Sequence, residues 1–167
     1  KLPFIGGNGR VGKSDIVVCE ACEYVDTFLQ LHPAFSVILN IDADHLDYFG
    51  TLDNIIKSFH KFCMQTSGRI LVNGDDPNAM RAVEGVTHAE IITFGRTEAS
   101  DYYVTELNEE DTACEDFTVM HKGERVCRVN LHVPGEHNMM NALAAAAAAH
   151  TLGVDGAHIK AALEAFT

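Results

Sequence analysis

Short, uninterrupted apolar runs rich in β-branched residues constrain this chain more than any other feature. Ile16-Val17-Val18-Cys19, Ser36 to Ile41, Ile70-Leu71-Val72 and Glu90 to Phe94 are each only a few residues long and largely lack polar alternation. Strands of that kind are covered on both faces, and such strands occur almost only in parallel sheets flanked by helices. Between them the texture is helical. Glu20 to Pro33 carries Phe28, Leu29 and Leu31 as a short amphipathic crossover. After the polar connection Asp42 to Gly50, Thr51 is placed to cap a helix running to about Gln65, with Ile55, Phe59 and Phe62 on one face. Asp76-Pro77 opens a further short helix. Strand alternating with helix through short connections predicts a parallel α/β sheet with right-handed crossovers.

The pattern changes after Gly95. Tyr102 to Leu107, Cys114 to His121 and Glu124 to Val133 alternate apolar with polar residues, and Lys122-Gly123 stands where a tight turn belongs. Asn138 to Leu152 reads as a helix whose alanine block, Ala144 to Ala149, lets it lie close against a sheet, with Gly153 closing it. A last helix spans about Gly156 to Phe166. The predicted fold is therefore α/β: a three-layer, mostly parallel sheet with flanking helices (1–95 and 134–167) plus a small antiparallel sheet (96–133).

At 167 residues the chain is long enough for one domain with its own core. Twelve Lys and Arg against 24 Asp and Glu give a net charge of −12, which argues against nucleic acid or an anionic membrane as partner. It leaves a nucleotide open, since backbone amides and a metal ion can hold one. The five cysteines show no paired zinc spacing, and Cys19 and Cys22 read as reduced thiols. No apolar run approaches the roughly 20 residues that span a bilayer, and no leader opens the chain, so a cytoplasmic protein is expected.

Gly7 to Ser14 satisfies G-x-x-x-x-G-K-S letter for letter. A working phosphate loop needs a strand before it and a helix after it, so that amides converge on the phosphates. Here Lys13-Ser14 leads through Asp15 into a β-branched run, so a glycine-rich surface turn is expected instead.

Two further constellations carry chemistry. Glu20 ends the first predicted strand and Asp42-Ala43-Asp44-His45 follows the second. Groups beyond the carboxyl ends of neighbouring strands face one crevice, where carboxylate and imidazole can hold a divalent cation, zinc or manganese as readily as magnesium. Equally, Asp42, Asp44 and Asp47 can cap a loop while His45 satisfies a backbone group. Asn138 and Asn141, three apart on one helical face, suit a purine edge, although Asn138 is also an ordinary N-cap residue.

Glu20-Ala21-Cys22-Glu23-Tyr24, Asn40 to Asp47, Asn73-Gly74-Asp75-Asp76-Pro77 and His137-Asn138-Met139-Met140-Asn141-Ala142, in that order and spacing, resemble the Mur ligase family of ATP-dependent, amide-forming enzymes of peptidoglycan precursor synthesis. The resemblance implies that Glu20 and His45 are catalytic and bind a magnesium ion near the γ-phosphate and substrate carboxylate. It implies that His137, Asn138 and Asn141 belong to the ATP site, the two asparagines touching adenine. The implied reaction forms an acyl phosphate that an amino acid's amine then attacks.

The place of the carbamylated lysine of several sister ligases, counted from His45, is Phe59. That departure favours the branch joining L-alanine to UDP-N-acetylmuramate over the other amino-acid-adding branches and over folylpolyglutamate synthase. The family's G-T-x-G-K-T loop and carboxy-terminal domain match no part of these residues, so most of a central ATPase domain, inactive alone, is expected. Two readings from other classes are a metal-dependent phosphoesterase using Asp42, Asp44 and His45, and a non-catalytic nucleotide-binding module.

Overall fold

The computed structural model describes residues 9–108 and 115–166. Among these residues six strands form one continuous sheet in chain order: β1 Phe35–Ile38, β2 Arg69–Asn73, β3 Glu90–Gly95, β4 Tyr102–Asn108, β5 Glu115–His121 and β6 Glu124–Leu131. β1 to β4 run parallel, in register Val37↔Leu71↔Ile92 across the first three, and β4, β5 and β6 pair antiparallel. The antiparallel strands are thus an extension of the parallel sheet, because β4 pairs with both kinds of neighbour. The helices are α1 Leu46–Phe49, α2 Leu52–Gln65, α3 Pro77–Val83, α4 Glu136–Thr151 and α5 Gly156–Glu164, preceded by a 3-10 segment Tyr24–Gln30.

Strand alternation sorts the core into two layers. Ile38, Ile70 and Val72 face the 3-10 segment, α2 and α3, together with Phe28, Ile55, Phe62 and Ala82. Leu71, Ile92 and Phe94 face α4, where Leu143, Ala144, Ala146 and Ala147 are buried. Alanines at those positions leave room for α4 to lie across β2 to β6. Three layers result, as the buried runs predict.

Local signals work where they are complete. Thr51 Oγ1 accepts from the Asn54 N–H at 3.3 Å as N-cap of α2. Lys122 and Gly123 both have positive φ, the conformation of a two-residue hairpin turn. Gly153, φ 88, follows α4 and donates to the His150 carbonyl at 2.9 Å.

One predicted strand does not form. Ile16-Val17-Val18-Cys19 has no strand partner among the described residues, and Val17 and Val18 are 87% and 89% exposed. An apolar β-branched run becomes a strand only beside a neighbour that takes its hydrogen bonds, and composition cannot supply the neighbour. Residues 9–23 form no helix or strand, so the described part of the phosphate-loop look-alike, Gly9 to Ser14, is an exposed irregular segment without the helix that a phosphate cradle requires. Gly7 and Cys114 lie outside the described residues. The polar stretch after β1, read as a connection, contains the one-turn helix α1, and the last helix but one begins at Glu136 with Gly135 as N-cap, displacing Asn138 from that role.

Gly156 shows how tightly the second layer closes. A Cβ there would stand 2.0 Å from the Val126 carbonyl oxygen of β6. Gly156→Ala is expected to lower stability by about 1–3 kcal/mol by pushing α5 off the sheet, read as a reduced urea midpoint.

Candidate functional site

The loop leaving β1 carries the first cluster, and α3 holds that loop in place. Asp76, N-cap of α3, takes the Asn78 and Ala79 N–H groups on Oδ1 at 2.8 and 3.1 Å. Its Oδ2 takes the N–H of buried Ile41 at 2.9 Å, while the Asn78 amide donates to the Ile41 carbonyl at 3.0 Å. Ile41 is therefore gripped on both its backbone groups. Beyond it the carboxylates turn the chain: Asp42 accepts from the Ala43 N–H and Asp44 from the His45 N–H, each at 2.7 Å.

His45, with φ 51, starts α1 in the left-handed region. Its Nε2 lies 3.4 Å from Glu23 Oε1 and its Nδ1 lies 3.8 Å from Asp44 Oδ1. The Tyr24 ring lies against it at 4.6 Å between centroids. One ligand atom each from Glu23, Asp44 and His45 falls within 4.8 Å of the others, close enough to share one cation. A cleft lined by Glu23, Asn40, Asp42, Asp44, Ile55 and Phe59 adjoins this cluster. Its rim is acidic with no Lys or Arg among the lining residues, and α2 supplies an apolar wall through Ile55 and Phe59.

Of the sequence candidates, His45 stands in the cluster and Asp44 beside it. Glu20 is exposed on the unpaired segment and is not in the group, whereas Glu23, three residues on, is. The E-x-x-E spacing was a visible signal, but the predicted strand end pointed to its first member. Phe59, counted as the departure from a lysine, does line the cleft, packed edge-on against Phe28.

The second site lies at the start of α4. Leu39, Asn40, Asn73, Phe94, Glu136, His137, Met140 and Asn141 line a groove at the carboxyl ends of β1, β2 and β3. Asn40 borders both this groove and the acidic cleft. Of the asparagine pair, Asn141 faces the groove; the Asn138 amide instead donates to the Pro134 carbonyl at 2.7 Å, steadying the first turn of α4. Arg96 pairs with Glu136 and ties that turn to β3, its own N–H donating to Asp75 Oδ2 at 2.6 Å.

The described thiols line neither site. Cys63 and Cys127 are buried and Cys19 and Cys22 exposed, all four free, and burial pushes the Cys63 thiol up to about 11.

Comparison with known proteins gives this geometry a context. The model of the Mur ligase middle domain matches residues 7–149. The chain belongs to the Mur ligase family. It is 42% identical over 157 residues to UDP-N-acetylmuramate–L-alanine ligase of Caldanaerobacter subterraneus subsp. tengcongensis, covering 93% of this chain and 34% of that protein. To the ligase of the same name from Acetivibrio thermocellus it is 42% identical over 172 residues, covering 100% and 36%. The chain thus spans about a third of the length of the curated relatives it matches. Among solved structures, UDP-N-acetylmuramate:L-alanyl-γ-D-glutamyl-meso-diaminopimelate ligase from Neisseria meningitides superposes with a TM-score of 0.72 at 31% identity, over 84% of this chain and 42% of that one. UDP-N-acetylmuramate-alanine ligase from Thermotoga maritima gives a TM-score of 0.69 at 28% identity, over 84% and 31%. The sheet with flanking helices, expected from the buried runs, is the Mur ligase fold.

The grip on Ile41 is testable. Asp76→Ala removes a helix cap and orphans the buried Ile41 N–H, and is expected to cost about 2 kcal/mol in urea denaturation, with Asp76→Asn costing less.

Proposed function

We propose that this chain is the nucleotide- and metal-binding part of an ATP-dependent ligase that joins L-alanine to UDP-N-acetylmuramate in peptidoglycan precursor synthesis. The observation that carries the reading is the junction at Asn40, where an acidic cleft adjoining the Glu23, Asp44 and His45 cluster meets a groove lined by amide side chains. Phosphoryl transfer needs such a junction, because a cation must stand beside the phosphates of a nucleotide held elsewhere by its base. Relatives named for this reaction, at 42% identity, support this choice of substrates.

The donor set fits a divalent cation. Magnesium keeps several waters and is held through one or two carboxylates, which Glu23 and Asp44 offer; the His45 imidazole suits manganese or zinc as well. The groove fits a purine: Met140 and Leu39 are apolar surfaces for its faces, and Asn141, Asn73 and His137 can donate and accept at its edge. The family resemblance gives the metal to Glu20 and His45 and the ATP to His137, Asn138 and Asn141; the distances to His45 favour Glu23 as the carboxylate, and Asn138 supports the turn that presents His137 and Asn141.

When bound, the cation and ATP supply charge neutralisation and the transferable phosphoryl group. The chain's own residues orient and exclude. Glu23 and Asp44 bracket the two nitrogens of His45, Ile55 and Phe59 keep water from one wall of the cleft, and the pinned Ile41 fixes the distance between cleft and groove. No helix among the described residues is long and apolar enough to cross a membrane, and the net charge of −12 supports a reading with neither membrane nor nucleic acid as partner.

Manganese binding followed by the paramagnetic resonance of the free ion tests the metal site. His45→Ala is expected to weaken binding by roughly tenfold or more. A comparable loss in Glu23→Ala with little change in Glu20→Ala would assign the carboxylate to Glu23, and the reverse to Glu20. Unchanged binding in His45→Ala would remove the reading. On the nucleotide side, Asn141→Ala should lose AMP-induced amide shifts in α4.

A further inference from the structure

Val25 and Asp26 both adopt left-handed backbone, with φ 55 and 57. That conformation is costly for residues with a Cβ, most of all for a β-branched valine, and it persists only where the surroundings impose it. The Asp26 carboxylate supplies the restraint. Its Oδ2 accepts from the Tyr48 hydroxyl at 3.0 Å, and its Oδ1 accepts from the hydroxyl of Ser58, which is buried in α2. One half-buried carboxylate thereby ties the 3-10 segment to α1 and to α2. The same hydrogen bond, with burial and the negative charge behind it, raises the Tyr48 phenol above its ordinary pKa.

The 3-10 segment and α1, tied in this way, meet at His45. Glu23 and Tyr24 immediately precede the left-handed pair. The Tyr24 ring lies 4.6 Å from the His45 ring and meets Tyr48 edge-on at 6.3 Å. Tyr48 itself donates its backbone N–H to the His45 carbonyl at 3.0 Å. The Asp26–Tyr48 bond therefore closes a loop of contacts running Asp26, Tyr48, His45, Tyr24 and back along the chain.

We infer that Asp26 is a positioning residue: by holding Tyr48 and Ser58 it fixes the Tyr24–His45 contact, and through it the Glu23–His45 pair. The inference rests on the cation reading above for its functional meaning, whereas its geometric content does not need the metal.

Two measurements on the 167-residue chain test it: the nuclear Overhauser contact between the Tyr24 and His45 rings without metal, and manganese affinity. Asp26→Gly keeps the left-handed backbone at no steric cost but lacks the carboxylate. Asp26→Asn tolerates that backbone and keeps one acceptor oxygen. Asp26→Gly is expected to lose the ring contact and to weaken manganese binding by roughly tenfold, Asp26→Asn to recover most of both, and Tyr48→Phe to lose the ring contact in part. Amide resonances of β4 to β6 report that the fold is kept, and Tyr48→Phe, which removes one exposed hydroxyl, remains informative if the glycine variant does not fold. A full ring contact in Asp26→Gly or in Tyr48→Phe would overturn the inference. A wild-type chain that binds no manganese would remove the cation reading instead, and the metal-free ring contact would still decide the role of Asp26.

Discussion

Ile70, Leu71 and Val72 are wholly buried, and the two helical layers meet through them. Ile70 and Val72 point into one core and Leu71 into the other, so β2 is the shared wall of both. Neighbouring strands must supply buried residues in the same register, as Ile38 and Ile92 do, and helices must cover both faces. Once this central strand is placed, its carboxyl end at Asn73 is also placed, with the ends of β1 and β3 beside it. The two grooves lie at those ends. Architecture and site location therefore follow from one constraint.

Much of this was legible in the residues because it rests on short-range chemistry. Three of the four buried runs are strands, Thr51 and Asp76 cap the helices they precede, and Lys122-Gly123 turns a hairpin. Ile16 to Cys19 failed because its composition specifies a strand only when another strand lies alongside. The antiparallel region was legible strand by strand, while its fusion into the parallel sheet was not. That fusion depends on β4 finding β3 through only two register pairs, Phe94↔Tyr102 and Gly95↔Tyr103, which no local pattern announces.

The site divided along the same line. His45, Asp44, Asn141 and the groove at α4 stand out as residue types in a motif. Asp26 and Asn78 do not, because their work is tertiary: Asp26 reaches hydroxyls 22 and 32 residues away, and Asn78 reaches a carbonyl 37 residues away. Asp76 shows both behaviours at once. Its helix cap is readable from Asp-Pro, while its second oxygen, on Ile41, belongs to the fold.

Asn40 is exposed and borders both grooves. A rotamer that suits one groove is also the rotamer presented to the other, so the two share a wall whose setting they cannot choose separately.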